Sequence, residues 1–284
     1  MRLLILGAGG QLGSELVEVA PAIGEDVVGL TRAECDIRDE AAVDGALGEH
    51  HPDAVINCAA WTAVDAAEDH PDEARAVNTV APAIIAAACE ERAVRLCHIS
   101  TDYVFDGTAT EPIAEDATPH PLSVYGRTKL EGEDAVRQYC RDYLVVRTSW
   151  VHGRDGPNFV LMVLRLLDGG QAQLRMVADQ WGSPTWTGHL APALLRLVKV
   201  APAGTYHLGG SGTTTRHGQA AGIVEELGLE VAVEPVSSDA FPARAVRPRY
   251  SALDNRAWRA LGEPDLPPWR VGLHDYLAAL GRLR

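Results

Sequence analysis

The stretch Met1-Arg-Leu-Leu-Ile-Leu-Gly-Ala-Gly-Gly-Gln-Leu-Gly-Ser-Glu-Leu-Val-Glu-Val19 decides the fold. Its first six residues form an apolar run of buried-strand length, and the segment from Ser14 reads as a helix. Between them lies Gly7-Ala-Gly-Gly-Gln-Leu-Gly13. Strand, glycine turn and helix start form the context in which a dinucleotide fingerprint works. Gly7 permits the tight turn, Gly9 or Gly10 lets backbone approach a pyrophosphate, and Gly13 allows close packing of the helix on the sheet. Gln11 and Leu12 belong to the same loop. Phosphates there meet free N–H groups at the positive end of a helix. A ligand-free glycine turn is the competing reading, and the flanking strand and helix favour the cofactor.

Working outward, Asp26-Val-Val-Gly-Leu30 predicts a second strand that ends at Thr31-Arg32. An acid at this place holds a ribose 2′-hydroxyl, whereas an arginine accommodates a 2′-phosphate. Arg32 therefore favours NADPH, with NADH left open. Asp36 and Ile37 follow as candidates to bracket the adenine, although Asp36 suits equally the N-cap of a helix starting near Asp39. Further strands are expected at Ala54–Cys58, Arg95–Ser100 and Asp142–Arg147. Helices are expected from Glu73 to Arg92, interrupted near Pro82, and from Tyr125 to about Tyr139. The alternation predicts an α/β fold: a Rossmann-type doubly wound parallel sheet with a smaller C-terminal α/β substrate lobe. Residues 1–150 are assigned to the dinucleotide-binding domain, with returns from about 173–210, and 151–284 mainly to the substrate-binding lobe. In such a sheet ligands gather beyond the C-terminal strand ends, where Gly7–Gly13, Ala59-Ala60, Thr101 and Trp150 fall.

The chain has 284 residues and a formal net charge of −14, with its basic residues scattered. That charge argues against a nucleic-acid surface. No apolar stretch reaches membrane-spanning length, and the opening run lacks the form of a signal peptide. Five cysteines without a C-x-x-C pattern suit a reducing cytoplasm and neither a disulfide scaffold nor a zinc site. A cytoplasmic enzyme without nucleic-acid or membrane partners is the expectation, with a homodimer left open.

Only two lysines occur among the 25 basic residues, so Lys129 in Ser123-Val-Tyr-Gly-Arg-Thr-Lys129 stands out. On a helix, Tyr125 and Lys129 share one face. An ammonium beside a phenol favours the phenolate and lowers its pKa. The pair can thus exchange a proton with a carbonyl or an alcohol.

These segments resemble the extended short-chain dehydrogenase/reductases and, within them, the dTDP-4-dehydrorhamnose reductase family. The resemblance rests on Gly10-Gln-Leu-Gly13, Asn57-Cys-Ala-Ala-Trp-Thr-Ala-Val-Asp65 with Ala67-Glu68, and Ser100-Thr-Asp-Tyr-Val-Phe-Asp-Gly107. It continues through Tyr125–Lys129, Arg147-Thr-Ser-Trp150, Asp179-Gln-Trp-Gly-Ser-Pro-Thr185, Gly204-Thr-Tyr-His207 and Arg247-Pro-Arg-Tyr-Ser251. It implies NADPH-dependent reduction of the C4 keto group of a dTDP-4-keto-6-deoxyhexose, most simply dTDP-4-dehydro-L-rhamnose. Tyr125 is then the general acid, Lys129 lowers its pKa and holds the nicotinamide ribose, and Thr101 hydrogen-bonds the carbonyl or the tyrosine oxygen. Ala59, Ala60 and Thr62 line the cofactor between phosphate and ribose. Asp102, Tyr103 and Trp150 contact the sugar, and Arg247 and Arg249 face the nucleotide pyrophosphate.

Tyr103 stands where sugar-nucleotide 4,6-dehydratases carry a glutamate, which argues against that activity. An epimerase is disfavoured by Arg32 and the Gln11 loop. Two alternatives remain: a 4-ketoreductase for another dTDP-deoxysugar, and a non-catalytic NADP-binding subunit resembling the regulatory subunit of methionine adenosyltransferase. His152, Trp181, Tyr250 and Ala66 depart from the family pattern. Some relatives bind Mg²⁺ through glutamates; Glu15 matches one such place without a convincing partner set, and no metal is assigned.

Overall fold

The computed structural model describes residues 1–283. Its centre is a six-stranded parallel sheet built from β1 (Arg2–Leu6), β2 (Asp26–Leu30), β3 (Ala54–Asn57), β4 (Arg95–Thr101), β5 (Tyr143–Thr148) and, much later, a strand at Gly204–His207. Between these last two come the short β6 (Val151–His152), β7 (Gln173–Val177), β8 (Trp181–Gly182) and β9 (Thr185–Trp186), so the returning strand is β10. The sheet order is β10-β5-β4-β3-β1-β2. β1 thus has β2 on one side and β3 on the other, which makes the β1/β3 edge the switch point where ligands bind in open parallel sheets.

β1 shows why its sequence is apolar throughout. Side chains alternate across a strand, so Leu3 and Ile5 enter one core while Leu4 and Leu6 enter the other, all fully buried. The first core is covered by α1 (Gln11–Val19) and by a later helix at Thr187–Val200; the second by α2 (Glu40–His50) and by helices after β3 and β4. Asp39, not Asp36, caps α2, accepting from the N–H groups of Ala41 and Ala42 at 2.9 and 3.4 Å. The side chain immediately before the first helical turn is the one in reach of those donors.

The segment after β3 runs as α3 (Val64–Asp69), α4 (Pro71–Arg75), a π-helical turn over residues 76–80, and α5 (Ala81–Glu91). The interruption lies just before Pro82 and not at it. Pro82 has no N–H to give the carbonyl of Asn78, and the helix widens there. The freed carbonyl closes on α6 (Val124–Tyr139) at Gly132, where a Cβ would come within 2.1 Å of it.

The rest of the chain divides between the central sheet, which the helices at Thr187–Val200 and Arg256–Ala260 also pack against, and a C-terminal lobe. α7 (Phe159–Asp168), α8 (Thr187–Val200), β11 (Thr214–Thr215), α9 (Arg216–Glu226), β12 (Ala232–Val236), α10 (Arg256–Ala260) and α11 (Trp269–Ala279) follow β6 in chain order, interleaved with β7 to β10. α7, α9 and α11 share a separate apolar core with Leu174 and Met176 of β7. β7 pairs with β12 and not with the six-stranded sheet. The return expected over 173–210 is therefore carried by β10 alone: β7 alternates exposed Arg175 with buried Leu174 and Met176, and such a one-faced strand suits a lobe sheet and not a doubly covered one. Among the described residues no helix is long and apolar enough to cross a membrane.

Candidate active site

The C-terminal ends of β1, β3, β4 and β5 open into one cleft of about 730 Å³, within the roughly 300–1,000 Å³ of ligand and cofactor sites. Its floor begins at the glycine turn. Gly7 has φ +82°, and a Cβ there would lie 2.7 Å from the backbone nitrogen of Ala59. A Cβ on Gly13 would lie 2.3 Å from the carbonyl oxygen of Gly7, so Gly13 packs on the loop itself more than on the sheet. Gly9 and Gly10 are exposed at the lip. α1 starts at Gln11 with no side chain capping its N–H groups, which leaves them for a ligand oxygen. Gln11 faces the cleft, but its amide is engaged: it accepts from Gly153 N–H at 2.9 Å and donates to Pro157 O at 3.2 Å.

Arg32, Asp36 and Ile37 line the far end of the same cleft. Arg38 grips Asp36 through contacts of 2.5–3.2 Å and holds its carboxyl down to about 2. Arg32 stands 3.8 Å from Asp36 with its side chain 77% exposed, free to turn toward a phosphate. Ala59, Ala60 and Thr62 form the opposite wall. That wall is pinned by two buried asparagines: Asn57 accepts from Ala59 N–H at 3.1 Å, and Asn78 accepts from Trp61 N–H at 2.8 Å while donating to Trp61 O at 3.1 Å. These backbone and charge features fit a dinucleotide phosphate chain, and the donors come from N–H groups and an arginine, as anions require.

α6 carries Tyr125 and Lys129, the candidates for proton transfer. Its first turn is held twice, by Ser123 accepting from Gly126 N–H at 3.1 Å and by Glu68 accepting from Val124 N–H at 2.7 Å. Tyr125 sits in that turn beside Thr101, and burial pushes its phenol well above the ordinary tyrosine range. The lowering expected from Lys129 is absent. Lys129 is buried and turned away: its Nζ donates to Ile99 O at 2.7 Å and stands 3.3 Å from His98 Nε2. Burial lowers the amine itself to about 8, so it gives up its third proton far more readily than an ordinary lysine. Thr101 Oγ1 donates to Asp102 at 3.1 Å and accepts from Tyr103 N–H at 3.1 Å. Asp102 is buried, accepts from Ser251 at 2.5 Å and Ser149 at 3.1 Å, and burial raises its carboxyl to about 6 against those hydrogen bonds.

Beyond Tyr125 a small chamber of about 50 Å³ adjoins the cleft, lined by Tyr103, Trp150, Gln180, Arg216, Arg247, Pro248 and Ser251. Tyr103 packs edge-on against Tyr125 with ring centroids 5.5 Å apart. Trp150 has φ +49°, a rare value for a bulky residue, and its ring fills the space left by Gly182, where a Cβ would meet it at 2.4 Å. Arg216 lies over the Trp150 ring at 3.6 Å and over Phe159 at 4.8 Å, a stacked cation held by two aromatic faces. Desolvation lowers its guanidinium to about 10. Sequence reasoning missed Arg216. One signal was present: it is the first residue of α9 after the capping Thr215, and a cation there opposes the helix dipole.

The structure therefore gathers Thr101, Asp102, Tyr103, Tyr125, Lys129 and Trp150 along one cleft, with Tyr103 and Trp150 shared with the chamber. Arg247 reaches the chamber while bonded to Asp65 at 2.6 and 3.1 Å; Arg249 is exposed and lines neither cavity. Asp65 and Glu68 thus do more than start α3: one holds Arg247, the other holds α6. Of the departures, His152 is buried against Tyr276, at 5.2 Å between ring centroids, and lies outside both cavities. Glu15 accepts from Thr187 at 3.0 Å, and among the described residues no group of three or more His, Cys, Asp or Glu is placed to hold a metal.

Comparison with known proteins places this geometry in a family. The RmlD substrate binding domain family matches residues 1–282. The dTDP-4-dehydrorhamnose reductase of Streptomyces griseus is 44% identical over 98% of this chain and 94% of its own length. The enzyme of the same name from Mycobacterium tuberculosis is 45% identical over 98% and 93%. The crystal structure of dTDP-4-dehydrorhamnose reductase from Bacillus anthracis in complex with NADP superimposes with a TM-score of 0.95 at 35% identity, covering 98% of this chain and 99% of that one.

Proposed function

This chain belongs to the RmlD substrate binding domain family, and we propose that it reduces the C4 keto group of dTDP-4-dehydro-L-rhamnose to give dTDP-L-rhamnose, with NADPH as reductant. One arrangement carries the reading: Thr101 and Tyr125 line the same glycine-lipped cleft, which shares Tyr103, Trp150 and Arg216 with the adjoining chamber. Bound in the cleft, the dinucleotide supplies the hydride. Every other task falls to the chain.

Tyr125 gives its proton to O4 as negative charge develops there. Burial keeps its phenol protonated before the transfer, and the alkoxide developing at O4, a stronger base than a phenolate, takes the proton. Thr101 has one hydroxyl proton, which it donates to Asp102; turned toward Tyr125, that hydroxyl stabilises the phenolate left behind. Trp150, Tyr103 and Asp102 border the hexose. Arg216 and Arg247 face its diphosphate, since guanidinium donors match phosphate oxygens in pairs. Arg32 accepts the 2′-phosphate of the cofactor, which sets NADPH above NADH.

The test is NADPH oxidation on adding dTDP-4-keto-6-deoxy-L-lyxo-hexose to the purified protein. Turnover is expected. Tight NADPH binding with no oxidation on this or any related dTDP-4-keto sugar would overturn the reading and leave a nucleotide-binding subunit.

A further inference from the structure

The wall behind Lys129 holds a group with no part in the chemistry above. His98, on β4, is 1% exposed. Its Nδ1 is 3.1 Å from Asn57 Nδ2, and its Nε2 is 3.3 Å from Lys129 Nζ. The amide of Asn57 is not free to flip, because its Oδ1 accepts the N–H of Ala59 at 3.1 Å. Its Nδ2 is therefore a donor toward His98, and His98 Nδ1 must be the acceptor. Burial keeps the imidazole neutral, and a neutral imidazole with an accepting Nδ1 carries its proton on Nε2. That N–H points at Lys129.

A neutral amine suits this place. It donates one hydrogen to Ile99 O at 2.7 Å and accepts from His98 with its lone pair. A full ammonium would set two donors against each other at 3.3 Å. We infer that His98, oriented by Asn57, is a positioning residue that governs whether Lys129 carries its third proton. The reference point is the assignment of Lys129 to the active site, on which the inference rests.

Other groups act on the same pair. Cys58, at the end of β3, and Glu133, on α6, favour the charged amine, while Arg137 on α6 disfavours a charged His98. Arg147 of β5 is occupied with Glu133 at 2.7 and 2.9 Å. The α5 face in this core is apolar apart from the Cys89 thiol. None of these supplies a donor to Nζ; His98 alone does.

Two lysines in the whole chain make the test direct. Protein labelled with ¹³C at lysine Cε and with ¹⁵N in histidine is titrated by NMR without cofactor. The resonance of Lys129, assigned by its loss in Lys129→Met, is expected to titrate below the ordinary lysine range. His98→Gln, whose amide can turn its oxygen toward Nζ, is expected to raise the Lys129 midpoint by about one pH unit. The basic limb of the kcat profile should move with it, whereas a merely structural role would lower kcat at every pH. An unmoved Lys129 midpoint in a folded His98→Gln protein overturns the inference. Should that variant not fold, the wild-type histidine spectrum decides: a proton on Nε2 of His98 supports the inference, and one on Nδ1 overturns it. Neither readout requires turnover, so failure here is distinguishable from failure of the reductase reading.

Discussion

The dinucleotide cleft and the arginine chamber meet at Tyr125 but are assembled in opposite ways. The cleft is made largely of backbone at strand ends: Gly7 to Gly13 after β1, Ala59 to Thr62 after β3, with Arg32 after β2. Each piece sits next to the strand that places it. The chamber is made of side chains from remote segments, with Tyr103, Trp150, Arg216 and Arg247 separated by dozens of residues and joined by stacking and ion pairs. On the proposed function, the cofactor site is thus built from local geometry and the sugar-nucleotide site from tertiary contacts. Mutations on the two sides should therefore separate cofactor terms from sugar terms.

The largest expected effect lies at the junction itself. Tyr125→Phe should lower kcat by about 10²–10⁴-fold while leaving NADPH affinity within a few-fold; equal loss of both would make Tyr125 a packing residue and erase the boundary between the halves. On the chamber side, Arg216→Ala should raise KM for the sugar nucleotide by about 10–100-fold, as loss of a charge-assisted contact implies. Fluorescence titration should show NADPH affinity unchanged, and a parallel fall in cofactor binding would mean that the chamber and the cleft are one unit. On the cleft side, Arg32→Ser should reduce the ratio of kcat/KM for NADPH over NADH by about tenfold, with KM for the sugar nucleotide unaltered. An unchanged ratio would remove Arg32 from the cofactor site.

The smallest effect concerns stability. Burial raises the Asp102 carboxyl to about 6 from an ordinary value near 3.8. The stabilisation from its protonated form is complete below about pH 4 and is lost as pH rises through about 6. Asp102→Asn cannot ionise, so its Tm relative to the parent should rise between pH 4 and pH 7, by a few degrees for a difference on the order of 2–3 kcal/mol. A constant Tm difference across that range would place Asp102 in a wetter setting than its three hydroxyl partners indicate.

Legibility followed the same division. Strand β1, the glycine turn, the Tyr125 helix with its end at Tyr139, and the positions of β2 through β5 were readable, because each depends on residues within one element. β7 was read as a possible return to the central sheet, and it pairs with β12, since strand pairing depends on which core the buried face of Leu174 and Met176 enters. The helix cap shifted from Asp36 to Asp39 by a detail of chain direction. Arg216 escaped because no neighbour in sequence explains it; its reasons are Trp150 and Phe159.

By itself the sequence determined the alternation of strand and helix, the glycine turn after β1 and the presence of a Tyr-Lys pair on one helical face, since hydrophobic period and local turn chemistry act over a few residues. The tertiary structure alone decided how that pair is wired. Lys129 is bonded to Ile99 O and faced by His98, Tyr125 is desolvated beside Thr101, and Arg216 is stacked on Trp150. Charge states and donor directions depend on what is buried against what, and that is settled only when distant segments close around one another.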